Sequence, residues 1–192
     1  PHDAVLAAYL KDRALKPYDP VAPDPDANYE DTIRIDVSAL EPLVVLPNKV
    51  AHNAAPAREL GEAKIDQAFI GSCANGRIED FAVAAEILIG RQVAPGVRMI
   101  VTPGSQSVLQ EAMAKGYVET LMNAGAVVTN STCGACYGGH MGVLGDGEVC
   151  ITASTRNFQG RMGSPEADIY LGSPATVAAS AVRGVITDPR EL

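Results

Sequence analysis

The sequence predicts an α/β fold, with a mainly parallel sheet flanked by helices. Three observations carry that expectation. From Lys64 onward, short apolar runs alternate with segments of helical period. The helical segments are bounded by cap residues, such as Ser173-Pro174 at one start and Gly184 at its end. Residues suited to chemistry fall just past the predicted strands, where such sheets bind ligands.

The elements follow in chain order. Between Pro1 and about Leu15, Val5, Leu6, Tyr9 and Leu10 form a helical stripe. Residues 16–28 hold four prolines and four Asp or Asn residues, which forbid regular structure and predict an extended connector. Residues 32–37, Thr-Ile-Arg-Ile-Asp-Val, alternate with period two and predict a strand. Residues 48–61 read as loop. A strand over 65–70 ends in Gly71-Ser72-Cys73. A helix over 78–89 puts Phe81, Ala85, Leu88 and Ile89 on one side. A second strand, 97–102, is closed by Pro103-Gly104. Ser107 stands three before Gln110, a capping-box spacing, and opens a helix to Lys115 with Gly116 as C-cap. A short helix over 117–123 and a strand over 126–129 follow. Residues 133–147 are glycine-rich loop with one turn of helix. The glycines at 142, 145 and 147 lack the spacing and strand–helix setting of a dinucleotide fingerprint. Strands over 149–153 and 169–171 precede a last helix over 175–182. Two parts are therefore expected. Residues 1–63 hold a helix, connector and strand packing on the main domain. Residues 64–192 form the α/β domain.

Composition narrows the function classes. The 192 residues are 47% hydrophobic and 20% charged, an ordinary globular balance. The net charge is −8, with no basic stripe of the kind a nucleic-acid binder carries. No apolar run reaches the roughly 18 residues of a membrane helix. No leader reads as a signal peptide, so a cytoplasmic chain is expected. The first residue is Pro1 rather than Met. A piece of a longer protein is therefore expected.

Four cysteines are present, at 73, 133, 136 and 150. Cys150 lies in an apolar strand and reads as a small buried hydrophobe. Cys133 and Cys136 form a Cys-x-x-Cys pair on a loop. Cys73, from a neighbouring strand end, completes a set of three. Three thiolates leave the chemistry open. Structural zinc wants four closed ligands, and His140 is the one candidate for the fourth. An iron–sulfur cluster held by three thiolates leaves one iron open, a Lewis acid rather than an electron carrier. Redox thiols remain a third reading.

The residues around the cysteines separate these readings. Gly71-Ser-Cys-Ala-Asn-Gly-Arg77, Cys133-Gly-Ala-Cys-Tyr-Gly-Gly-His140 and Arg156-Asn-Phe-Gln-Gly-Arg161 resemble three motifs of the aconitase superfamily, in family order. They look most like the large subunits of its 3-isopropylmalate dehydratase and homoaconitase branches. The stretch Gly139 to Glu148 leans toward the homoaconitase-like branch. Upstream, the runs from Asp24 to Tyr29 and from Ile35 to Pro42 also look like the family, so the resemblance covers nearly the whole chain.

The resemblance implies a fold like the third, cluster-bearing domain of such a large subunit. It implies a 4Fe-4S cluster held by Cys73, Cys133 and Cys136. Arg156 and Arg161 match the family's substrate-binding arginines and would hold carboxylates bidentately. Asn75 and Asn157 are expected close behind the cluster, though Asn75 also reads as a helix N-cap. The implied reaction is reversible dehydration and hydration of a 3-isopropylmalate- or homocitrate-like hydroxy acid, the lyase chemistry of leucine biosynthesis. The family's acid–base residues have no counterpart here. Implied partners are the remaining large-subunit domains, a small swivel-domain subunit and a di- or tricarboxylate substrate, with no nucleic acid and no membrane. The isolated chain is expected to be inactive. Three positions depart from the family pattern: Ala74 for Thr, Ala135 for Pro, and Thr155 for the Asn before the arginine. The reading from another class is a non-catalytic module whose three cysteines bind zinc or act as redox thiols.

Overall fold

A computed structural model describes residues 2–49 and 52–192. The chain divides into two units, Pro1–Ala39 and Leu40–Leu192. The first holds helix α1, Ala4–Lys11, started by Asp3, whose carboxylate accepts from the Leu6 N–H at 2.8 Å. No residue of α1 is buried. The strand expected over 32–37 does not form. Its alternation is real, but Ile33, Ile35 and Val37 are exposed, and no strand among the described residues pairs with it. A strand needs a neighbour to take its backbone hydrogen bonds.

The second unit is built on a seven-stranded sheet. The strands are β1 Leu43–Val45, β2 Ala54–Pro56, β3 Gln67–Gly71, β4 Arg98–Thr102, β5 Val127–Val128, β6 Val149–Thr152 and β7 Asp168–Leu171. Their order is β2-β1-β7-β6-β3-β4-β5. The five strands from β3 to β7 are parallel, and β1 and β2 are antiparallel additions at one edge. The stretch read as loop, 48–61, thus contains β2 and a 3₁₀ turn, Ala57–Leu60. Neither has enough residues to show a period.

The helices after residue 71 are the single turn α2 Ser72–Asn75, α3 Ile78–Leu88, α4 Gln106–Ala114, α5 Tyr117–Asn123 and α6 Pro174–Arg183. Helix α4 is capped by Ser105, not Ser107. The Ser105 hydroxyl accepts from Val108 N–H at 3.2 Å, and Ser107 only bonds Ser105. Ser173 caps α6 with Pro174 at its first position, and Gly184 closes it in the left-handed region.

Strand alternation separates two cores. Ala68, Ile70, Met99, Val101 and Ile151 point to one face, where they meet Phe81, Ala84 and Leu88 of α3, Ala112 of α4, Leu121 of α5 and Val177, Ala178 and Ala181 of α6. Phe69, Ile100, Cys150 and Ile169 point to the other face, which is covered by loop residues Ala135, Leu144, Met162 and Ala167. Helices therefore flank one face, and irregular chain covers the other. Sheet order explains this. Right-handed connections running outward from β3 to β5 lie on one side. Those running back through β6 to β7 lie on the opposite side. The 129–148 and 153–167 connections thus share a face, and each crosses the sheet from carboxyl to amino end.

The amino end of this face is pinned by polar contacts. Arg98 forms a bidentate pair with Glu148, both contacts 2.8 Å, and the buried Gln67 donates to Gly142 O at 3.0 Å. The Arg98 fork, helped by the Gly145 N–H, holds the Glu148 carboxyl down at about 2. A carboxyl depressed on folding stabilises the fold above its unfolded value. That contribution is lost as pH falls from about 4.5 toward about 2. The pair is partly exposed, at 46% and 28% of the side chains, so about 1 kcal/mol is expected after screening. Urea unfolding across that pH window should show a shallower decline in Glu148→Gln than in the parent. Identical slopes would mean that the pair contributes nothing.

Candidate metal centre

The carboxyl end of the sheet gathers most of the residues singled out from the sequence. In the order β7-β6-β3-β4-β5, connections leave β3 and β6 in opposite directions, which makes their adjacent ends the switch point where α/β sheets bind ligands. Cys73 follows β3, and Arg156 follows β6. Asn75 joins the two ends, since its side-chain amide donates to Ala153 O. It does not cap α3. Arg77 occupies that cap, with its N–H bonded to Asp80 at 2.9 Å.

Cys73 is placed by a tight turn. Gly71 has φ 134°, Ser72 has φ 66°, and Cys73 is exposed on α2. A Cβ at Gly71 would overlap the Thr102 carbonyl, so only glycine lets β3 end this close to β4. The hydroxyls of Ser72 and Ser154 are buried at this rim without a hydrogen-bond partner among the described residues.

Cys133 and Cys136 flank a 3₁₀ turn, Gly134–Cys136, which packs over β3 and β4. The turn is held by Cys136 N–H to Cys133 O at 3.1 Å and by Gly134 N–H to the Thr132 hydroxyl at 2.8 Å. Cys133 is exposed, Cys136 is half-buried and neither is in a disulfide. Ala135, the departure from the family's proline, is fully buried in the loop-side core.

The two connections are zipped together beside Cys136. Gly138 N–H donates to Arg161 O at 2.9 Å, and Leu144 N–H donates to Met162 O at 2.8 Å. Ser164 N–H returns to Leu144 O at 2.9 Å, and the Ser164 hydroxyl bonds Asp146. Arg161 then reaches across, with Nε on Cys136 O at 2.9 Å and Nη2 on Cys136 Sγ at 3.6 Å. Arg156 is exposed and donates from Nη1 to the Thr155 hydroxyl at 2.7 Å.

The remaining singled-out residues make other contacts. Asn157 is fully buried, and its Nδ2 donates to Leu46 O at 2.6 Å and Lys49 O at 3.3 Å. It binds the connection after β1 to the Arg156 turn. The sequence reading missed that connection and its second anchor, Asn53, which donates to Leu46, Pro47 and Lys49 carbonyls. Prolines and asparagines near a strand end are the available signal. His140 is exposed beside Tyr137, with ring centroids 6.3 Å apart. Burial pushes the Cys150 thiol up to about 12, as fits a core cysteine and not a ligand.

Among the described residues, no three His, Cys, Asp or Glu side chains stand close enough together to hold a metal ion. The donor chemistry nevertheless fits a 4Fe-4S cluster. Three free thiols, two exposed and one half-buried, sit on two loops, and the buried Ser72 and Ser154 hydroxyls after β3 and β6 have no partner among the described residues.

The sequence profile of the aconitase family (aconitate hydratase) matches residues 1–184. The chain is 59% identical over 191 residues to the 3-isopropylmalate dehydratase large subunit of Mycolicibacterium smegmatis, covering 100% of this chain and 45% of that protein. It is 55% identical over 170 residues to the large subunit of Aliarcobacter butzleri, covering 88% and 40%. It is 51% identical over 190 residues to large subunit 1 of Methanopyrus kandleri, covering 99% and 45%. The chain spans less than half the length of these relatives. With its motifs, its parallel sheet and a profile match over nearly its whole length, the chain belongs to the aconitase family.

Proposed function

We propose that this chain is the cluster-bearing part of a 3-isopropylmalate dehydratase large subunit, a cytoplasmic hydro-lyase of leucine biosynthesis. The observation that carries the reading is the contact between Cys136 and Arg161. It puts a ligand-type thiol and a carboxylate-binding cation side by side. An isopropylmalate-type acid is the substrate proposed, as the relatives at 55–59% identity are named for it.

Cys73, Cys133 and Cys136 would hold the cluster. When bound, it supplies an open iron that polarises the substrate hydroxyl as a Lewis acid. The protein groups do the rest. Arg156 is exposed, and its guanidinium can take one substrate carboxylate. Arg161 is half-buried, with an unused end for a second. Two cations near the cysteines can together hold and orient the acid. Proton transfer falls to the remaining large-subunit domains and to a small swivel-domain subunit, which makes those the required partners.

The test uses the full-length large subunit with its small subunit. Conversion of 3-isopropylmalate to its unsaturated acid is followed by ultraviolet absorbance. Cys136→Ser should remove activity by about 10²-fold or more, in the range expected when a metal site is disrupted. Unchanged turnover in Cys136→Ser would overturn the assignment.

A further inference from the structure

We propose that Arg161 is a positioning residue for Cys136, in addition to binding a carboxylate. The proposal rests on the reading of Cys136 as a cluster ligand. Its geometry is specific. A guanidinium presents two donor pairs, one along its side (Nε and one Nη) and one across its end (both Nη). The side pair of Arg161 is spent on one residue, with Nε on the Cys136 carbonyl at 2.9 Å and Nη2 on its sulfur at 3.6 Å. Nη1 makes no hydrogen bond among the described residues, so the end pair stays open toward a carboxylate.

The backbone of Arg161 is held where this grip can work. Its N–H donates to Phe158 O at 2.9 Å, and its own carbonyl accepts from Gly138, two residues beyond Cys136. Leu144 and Gly163 form a parallel bridge just beyond. At Gly163, φ is 140°, and a Cβ would overlap the Leu144 backbone, so the two connections meet there without an intervening side chain. The Cys136 carbonyl and sulfur are thus held by a fork whose base is fixed. Arg156 has no such relation. Its recorded partner is Thr155, and it bonds no cysteine among the described residues.

Two consequences follow. The fork fixes where the Cys136 sulfur points. A donor on a ligating thiolate also draws electron density from it and raises the potential of the cluster it holds. Lysine cannot replace the fork, because it offers a point charge rather than two fixed donors. Charge alone and position are therefore separable.

The experiment compares Arg161→Lys, Arg161→Gln and Arg156→Gln with the parent, in full-length protein. Cluster loss to a chelator should be about tenfold faster in both Arg161 variants, with a lower reduction potential. Arg156→Gln should weaken substrate binding and leave both readings alone. In cluster-free protein, amide exchange over residues 136–144 should quicken in both Arg161 variants and not in Arg156→Gln. Parent-like lifetime, potential and exchange in the Arg161 variants would overturn the proposal. So would full rescue by lysine, which would make the role one of charge. If the parent takes up no cluster, the reading of the site has failed and exchange alone decides. Faster exchange in the Arg161 variants would still support the grip on Cys136, and unchanged exchange would overturn it.

Discussion

Phe69→Ala is expected to destabilise the chain by about 3–5 kcal/mol, the usual cost of emptying an aromatic site in a packed core. Phe69 is fully buried at the centre of β3, on the face covered by loops. Its ring lies directly beneath the cysteine turn. A Cβ built on Gly134 would stand 3.0 Å from two of its ring carbons. Ala135, Ile100, Cys150 and Ile169 belong to the same cluster. The deletion therefore does two things at once. It opens a cavity in a small core, and it removes the floor of the Cys133–Cys136 turn. Urea unfolding measures the first effect. Iron retention in full-length protein measures the second, and Phe69→Leu should keep most of it. A loss below about 1 kcal/mol would show that the loop layer does not pack on Phe69 as described.

Gly71→Ala is expected to cost about 3 kcal/mol or more. Two penalties add. The φ of 134° is a region in which residues with a Cβ are strained, by about 1–3 kcal/mol. The new Cβ also overlaps the Thr102 carbonyl and must push β3 from β4, an overpacking of about 1–3 kcal/mol. Relief of either moves Ser72 and Cys73, so metal retention should fall with stability. Gly90→Ala is the control. Its φ is 70°, but nothing lies within 4 Å of an added Cβ, so it should cost only about 1 kcal/mol. Equal losses in the two variants would contradict the close approach at Gly71.

Much of this fold is legible in the sequence, because helices and buried strands carry their own signals. Tyr117–Asn123 forms as the pattern predicts, and Ser173, Pro174 and Gly184 mark α6 correctly at both ends. Strands β3, β4 and β6 are buried on both faces and read as apolar runs. Failures occur where structure depends on a distant partner. Residues 32–37 have the period of a strand and no strand beside them among the described residues. β1 and β2 have three residues each and exist through pairing with each other and with β7. Ser105 rather than Ser107 caps α4, and Arg77 rather than Asn75 caps α3. Both pairs offer polar side chains at nearly equivalent positions, and only the incoming chain direction decides between them. The one-sided placement of the helices depends on strand order, which no local pattern contains.

The candidate site divides the same way. The three cysteines, Arg156 and Arg161 stand out by residue type and spacing, and Cys73 and Arg156 follow β3 and β6 at the end to which topology assigns ligands. The grip of Arg161 on Cys136 links two loops 25 residues apart, and the tie of Asn157 to Leu46 spans 111. Neither separation carries a periodic signal.

Whether Cys73, Cys133 and Cys136 hold a cluster is decided by iron and acid-labile sulfide content in full-length protein after anaerobic reconstitution, for the parent and Cys73→Ser. A cluster held by these residues gives roughly four iron and four sulfide per chain in the parent, with visible charge-transfer absorbance, and loss of both in the variant. Zinc without sulfide in the parent would contradict it, as would an iron and sulfide content that Cys73→Ser leaves unchanged.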